Sequence, residues 1–156
     1  MKKLIVVCLF SLFVLVSCTR EKTVVESAFP DGSPKKVCIY NVRGDKKDLI
    51  KETTYYPGKK LQMEGTYRNN QRDGRWIYYY ENGKIWSEGF FKEGKNEGKR
   101  TTYFDNGKIR YEAFYKNDIR VGKWRFFDEK GRLLQIVDYD SPTDSLKNKE
   151  QGHNAL

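Results

Sequence analysis

The chain has 156 residues with 30 basic and 21 acidic side chains, a formal charge of +9, and this length allows one domain and little more. Aromatic residues make up 15%, 11 of them tyrosine, yet the mean hydropathy is only -0.81. This composition excludes a thick aliphatic core, and interspersed charges such as "KEGKNEGKR" read as a solvated surface rather than a nucleic-acid-binding face.

Lys2 and Lys3 open the chain and precede "LIVVCLFSLFVLV", an uncharged apolar run from Leu4 to Val16. A helix that spans a bilayer needs about 20 such residues, so this shorter run fits the apolar region of an export signal. "LVSC" follows, Leu15 to Cys18, and resembles the lipobox of bacterial lipoproteins. The resemblance implies a signal peptide over residues 1–17, diacylglycerol on Cys18, palmitate labelling, and a membrane-anchored cell-envelope protein. Thr19 in place of aspartate implies the outer membrane, where the cell has two. Cleavage elsewhere in a secreted protein and an N-terminal membrane anchor are the alternatives. Without residues 1–17 the charge falls from +9 to +7, because that segment holds two lysines and no acid. Export also argues against a nucleic-acid partner.

Residues 18–27 read as a tether. Cys8 lies in the apolar run and Cys18 is the lipid site, so Cys38, in the strand-like "KKVCIY", is left without a disulfide partner. An inert buried thiol is expected there. Residues 28–57 read as a degenerate repeat unit, with Gly32 preceding Gly58 by close to one repeat length.

From Gly58 the pattern is regular. Gly58, Gly83, Gly107 and Gly131 recur at a nearly constant spacing of about 24 residues, within the range that marks repeat architectures. Each precedes a lysine or arginine, and Gly74, Gly98 and Gly122 form a second such series. Two glycine turns per unit imply two strands per unit, and the intervening segments are rich in Tyr, Phe, Trp, Ile and Thr, which suit strands. Asn82-Gly83 and Asn106-Gly107 are hairpin signals in which both residues tolerate positive φ. The expected fold is all-β: a repetitive antiparallel hairpin meander of about 24 residues per repeat over residues 58–140. It forms an open, elongated sheet, preceded by the signal-peptide helix and followed by a disordered tail over residues 141–156.

Alternation assigns faces. Leu61, Met63, Gly65 and Tyr67, with equivalents beginning at Ile85, Ile109 and Leu133, fall on the buried face. Glu64, Thr66, Trp86, Glu88 and Phe90 fall on the other. The small residues Gly65, Gly89 and Ala113 leave room for a large neighbour, such as Trp76 or Trp124 across the hairpin. Trp76, Arg100 and Trp124 have opposite parity to Tyr79, Tyr103 and Phe127. Both faces of the second strands therefore hold aromatics, through either a bulge or a sheet wet on both sides.

"DGRWIYYYENGKIWSEGFFKEGKNEGKRTTYFDNGK", Asp73 to Lys108, resembles the variant MORN repeat of bacterial YwqK-type proteins in its G-K/R-W turn, [DE]-N-G-K turn and E-G-x-[FY] strand. That resemblance implies an interaction module, or alternatively an antitoxin or immunity component with a cognate toxin as partner.

No residues suggest an enzyme, a cofactor or a metal site. His153 is the one histidine and sits near the C-terminus without a partner. Glu64, Glu88 and Glu112 recur once per unit beside Arg68, Lys92 and Lys116, a pattern read as cross-strand ion pairing. Trp86 and Phe90, with Arg110 and Phe114 at the equivalent positions of the next unit, are the candidate binding residues, because an aromatic on a polar face marks a contact surface. The expected partner is an unidentified protein or envelope component.

Overall fold

The computed structural model describes residues 20–141, and these form one eleven-stranded antiparallel sheet. The strands are β1 (Arg20–Ala28), β2 (Pro34–Arg43), β3 (Lys46–Tyr55), β4 (Leu61–Arg68), β5 (Gln71–Tyr79), β6 (Ile85–Lys92), β7 (Lys95–Asn96), β8 (Gly98–Tyr103), β9 (Ile109–Lys116), β10 (Ile119–Phe127) and β11 (Leu133–Asp138). Spatial order follows chain order, with β7 a short extension on β6. The all-β open meander is therefore as expected. The signal-peptide segment, Cys18 and residues beyond 141 lie outside the described residues.

The segment read as a tether is a strand from Arg20 onward: β1 pairs with β2 from Arg20↔Val42 to Ala28↔Pro34. Its Val24-Val25 pair lies opposite Cys38 and Val37, and ladder pairing organises a segment whose side chains are mostly exposed.

The two glycine series do different work. Gly83, Gly107 and Gly131 close turns, with φ between 84° and 86°, and the Gly83 and Gly107 amides donate to the carbonyls of Tyr80 and Phe104 at 2.9 Å. Asn82 and Asn106 are absent from the positive-φ residues. Each instead uses its side chain, accepting from the amides of Lys84 (2.9 Å) and Lys108 (2.8 Å). The turn is thus an Asx-stabilised loop, not the two-residue turn expected from Asn-Gly.

The second series is not in turns at all. The tight turns are Asn69-Asn70, Glu93-Gly94 and Asn117-Asp118, in which both residues have positive φ, the signature of two-residue hairpin loops. Gly74 and Gly122 lie just inside the strands that follow, where the ladder register shifts.

Packing comes from one cross-sheet row. Val24 pairs with Cys38, Cys38 with Glu52, Glu52 with Gly65, Gly65 with Trp76, and Trp76 with Gly89. The row continues through Arg100↔Ala113 and Trp124↔Val137. From Cys38 on, small residues alternate with Glu52, Trp76, Arg100 and Trp124. Gly65 sits beside Trp76 because a Cβ would collide with the indole: one built there would lie 2.1 Å from Trp76 Cδ2, whereas one on Gly89 would come no nearer than 3.1 Å, to Arg100 Nε. Trp76 is wholly buried, between Tyr67 and Phe91 at centroid distances of 5.3 and 5.8 Å. The Arg72 guanidinium covers its face at 4.1 Å. Burying an aromatic of this size removes roughly 150–250 Å² from water, worth about 4–6 kcal/mol at about 25 cal/mol per Å². The indole N–H of Trp76 donates to the Thr66 carbonyl at 3.1 Å, and Trp124 repeats this bond to Phe114 at 3.2 Å.

Candidate interaction surface

The face opposite the tryptophan row is built on glutamates. In β4, β6 and β9, Glu64, Glu88 and Glu112 each meet a cation from the preceding strand: Lys51 at 2.9 Å, then Arg75, then Lys99. Arg125 adds a second pair to Glu112 at 3.4 Å. The expected cross-strand pairing is present, but Arg68, Lys92 and Lys116 are not the partners; Arg68 pairs with Asp73 at 3.4 Å. A phenol completes the first two sites. Tyr79 donates to Glu64 at 3.0 Å and Tyr103 to Glu88 at 2.7 Å. Phe127, the equivalent of Tyr103 in the next unit, has no hydroxyl to offer Glu112.

These contacts set the protonation states. Hydrogen bonds from Lys51, Arg75 and Lys99 hold the carboxyls of Glu64, Glu88 and Glu112 below their ordinary value, against the opposing effect of burial. Burial, reinforced by the bond to Glu88, pushes the Tyr103 hydroxyl up to about 12. All three carboxyls are thus charged at neutral pH, and Tyr103 remains a hydrogen-bond donor.

Phe90 lies opposite Arg75 in the ladder and is half exposed, at 50%. With Arg75, Glu88, Lys99, Thr101, Tyr103 and Ile109 it lines a cleft of about 240 Å³. Phe114 lies opposite Lys99, one unit on. These two candidates therefore share the glutamate face, as expected.

Trp86 and Arg110 do not. Tyr78 pairs with Ser87 and Tyr79 with Ile85, leaving Trp86 as an extra residue between them. The same bulge sits at Gln62, Arg110 and Leu134. Directly opposed residues share a face, so Ile85 joins Tyr79 on the glutamate face, and Leu61, Ile109 and Leu133 do likewise. Trp86 turns the other way and meets Tyr78 at a centroid distance of 6.1 Å. This corrects the face assignment made from strict alternation. A bulge adds one residue to one strand and reverses the parity of everything before it. Trp86 also approaches Tyr80 at 6.5 Å, while the Arg110 guanidinium lies over Phe104 at 5.7 Å. The position that Trp86 and Arg110 share in successive units is thus a packing site at the hairpin end. The four candidate residues fall into two groups on opposite faces.

Sequence reasoning missed a second ladder. The Tyr56 hydroxyl donates to the Tyr79 carbonyl at 2.9 Å, and Tyr80 donates to the Tyr103 carbonyl at 2.8 Å. Each tyrosine therefore bonds to the backbone of the next unit. The aromatic that opens the glycine loop, before Pro57-Gly58 in one unit and before Glu81-Asn82-Gly83 in the next, is the sequence signal that marks it.

The repeat pattern of the MORN repeat variant matches residues 50–69, 72–93, 96–117 and 120–141. The chain belongs to the MORN repeat variant family. No curated protein matches it. The MORN units are phased differently from the expected ones: each joins a second strand to the first strand that follows, as β5 to β6, and in the last three the connecting loop is Asx-stabilised. There are four of them. Residues 28–49 lie outside the matched units, although β2 and β3 extend the MORN sheet without a break.

Proposed function

We propose that this MORN-variant protein is a non-enzymatic lipoprotein of the cell envelope, anchored through Cys18, whose repeat sheet is an interaction module for a protein or another envelope component. The observation that carries the interaction reading is Phe90, half exposed in a cleft on the glutamate face. An apolar ring amid fixed charges offers a partner a desolvation anchor surrounded by hydrogen-bonding groups, the arrangement from which binding hot spots are made. The basic n-region, short apolar run and "LVSC" box support the anchor, because acyl chains on one cysteine add about 0.8 kcal/mol per buried methylene. Palmitate labelling of the wild type and of Cys18→Ala tests the anchor. Label in the wild type alone supports it, and equal labelling of both rules it out.

The YwqK-like repeats favour a second reading, immunity against a toxin acting outside the cytoplasm. Co-expression with the product of an adjacent gene tests it: rescue from a toxic neighbour supports immunity, and the absence of protection counts against it.

A further inference from the structure

A second cleft lies on the tryptophan face, at the hairpin end of β4, β5 and β6. Its volume is about 330 Å³, and its walls include Tyr56, Gln62, Met63, Arg72, Tyr78 and Trp86. The bulges build it. Gln62 and Trp86 are the extra residues of β4 and β6, and both turn to this face. Tyr78 stands between them on β5, paired with Met63 on one side and Ser87 on the other. Two strand spacings, roughly 10 Å, separate the Gln62 and Trp86 strands, which leaves room for one six-membered ring above Tyr78. Trp86 meets Tyr78 edge-on at a centroid distance of 6.1 Å and stays 44% exposed.

The charge in this cleft is uncompensated. Arg72 is the one charged residue among the described residues that line it. Arg68, Arg75, Arg125 and Arg132 each have a carboxylate partner, but Arg72 pairs with none among the described residues. Glu52, the acid of the tryptophan row, is already held by Lys36 at 3.1 Å and Tyr67 at 3.0 Å. The Arg72 guanidinium is fixed over Trp76 at 4.1 Å and Phe91 at 5.4 Å, and donates to the Tyr78 hydroxyl at 3.3 Å. A stacked guanidinium keeps its remaining N–H groups in plane, in the fork that matches a carboxylate. The Gln62 amide likewise makes no hydrogen bond among the described residues. The Phe90 cleft differs, because its cations Arg75 and Lys99 are already paired with Glu88 and Glu112.

We propose that this cleft binds an acidic saccharide, with one sugar ring against Trp86 and Tyr78, its carboxylate on Arg72 and its hydroxyls on Gln62. Apolar walls with a few convergent polar groups are the usual make-up of a ligand site, and Trp and Tyr offer an apolar ring face beside a polar tip. A sugar ring has the matching character: C–H faces with hydroxyls around the rim. An extended acidic peptide is a poorer occupant. β4, β5 and β6 are each paired on both sides, so no free backbone ladder receives a strand, and recognition falls to side chains alone. The constellation belongs to one unit, since Thr102 and Asn96 stand at the equivalents of Tyr78 and Arg72 in the next. The site lies on the face opposite Phe90 and rests neither on that cleft nor on Cys18.

The test is isothermal titration calorimetry of the full chain, in neutral detergent, with a trisaccharide of galacturonic acid. Saturable binding is expected. The neutral galactose trisaccharide and the Arg72→Gln variant are each expected to bind about tenfold more weakly, the loss that removing one charge-assisted hydrogen bond entails. Trp86→Ala and Gln62→Ala are each expected to weaken binding severalfold. Circular dichroism identifies any variant that fails to fold; Gln62→Ala removes no described hydrogen bond and keeps the test decisive. No binding of the acidic trisaccharide overturns the proposal, as does an unchanged affinity in any of these variants that folds. Equal affinity for the neutral trisaccharide overturns it too, because Arg72 then selects nothing. So does equal affinity for a triglutamate peptide or inorganic phosphate, since the cleft then takes any anion.

Discussion

Gly65 and Trp76 face each other across β4 and β5 so closely that a methyl group on the glycine would lie 2.1 Å from the indole. Gly65→Ala therefore has to expel the tryptophan or distort the ladder. Trp76→Ala is expected to cost about 3–5 kcal/mol, the range for deleting a buried aromatic. Gly65→Ala is expected to cost a similar amount. The two costs are not additive, because residues in contact share one loss. Urea denaturation of both single variants and the double variant measures the coupling. Additive losses would show that the row is not the packing unit.

Arg100 occupies the tryptophan slot between Gly89 and Ala113. Its guanidinium lies 5.6 Å from Phe91 and 5.7 Å from Tyr115, but its Nε is buried without a hydrogen-bond partner. An unsatisfied buried donor costs about 1–3 kcal/mol. Arg100→Trp is expected to raise stability by about 1 kcal/mol, the lower end of that cost, which would appear as a higher melting temperature. If it lowers stability instead, the Ala113 methyl is blocking the slot, and adding Ala113→Gly is expected to restore it.

The glutamate ladder predicts a small gain and an equally small loss. Phe127→Tyr supplies the hydroxyl that Glu112 lacks by comparison with Glu64 and Glu88. It is expected to stabilise the fold by about 0.5–1 kcal/mol, the net value of one such hydrogen bond, and Tyr103→Phe to destabilise it by a similar amount. Chemical denaturation at neutral pH checks both.

The same ladder sets the pH response. Glu64, Glu88 and Glu112 have carboxyls held below their ordinary value of 4.5 in the folded state. Their contribution is complete above that value and is lost as pH falls below it toward the folded-state values. At the alkaline end, the Tyr103 hydroxyl is raised from 10.0 to about 12, so its contribution is complete below 10 and is lost as pH rises toward 12. Melting temperature measured from pH 7 to pH 3 is expected to fall below 4.5, and less steeply in a Glu64→Gln, Glu88→Gln, Glu112→Gln variant. Identical slopes would remove these carboxyls as the cause.

Much of this architecture is legible in the sequence because glycine and alternation report backbone needs directly. The repeat period, the two strands per unit and the pairing of Gly65 with a tryptophan all follow from sterics local to one hairpin. The departures have separate physical origins. A β-bulge adds a residue without leaving a turn signal, so strict alternation puts Ile85 and Trp86 each on the wrong face. Gly74 and Gly122 read as turns because they take positive φ, yet Asn69-Asn70 and Asn117-Asp118 make the loops. The role of Glu52, buried in the tryptophan row and bonded to Tyr67 at 3.0 Å and Lys36 at 3.1 Å, depends on register across three strands. No local pattern announces it.

An anchored sheet that holds a partner on its glutamate face is the central claim. A photo-crosslinking amino acid at position 90 tests it most directly, introduced in living cells into the wild-type and Cys18→Ala chains. The expected result is a discrete adduct with a molecule other than a second copy in the wild type, and its loss when Cys18 is replaced. No adduct in either chain, or the same adduct in both, would contradict it.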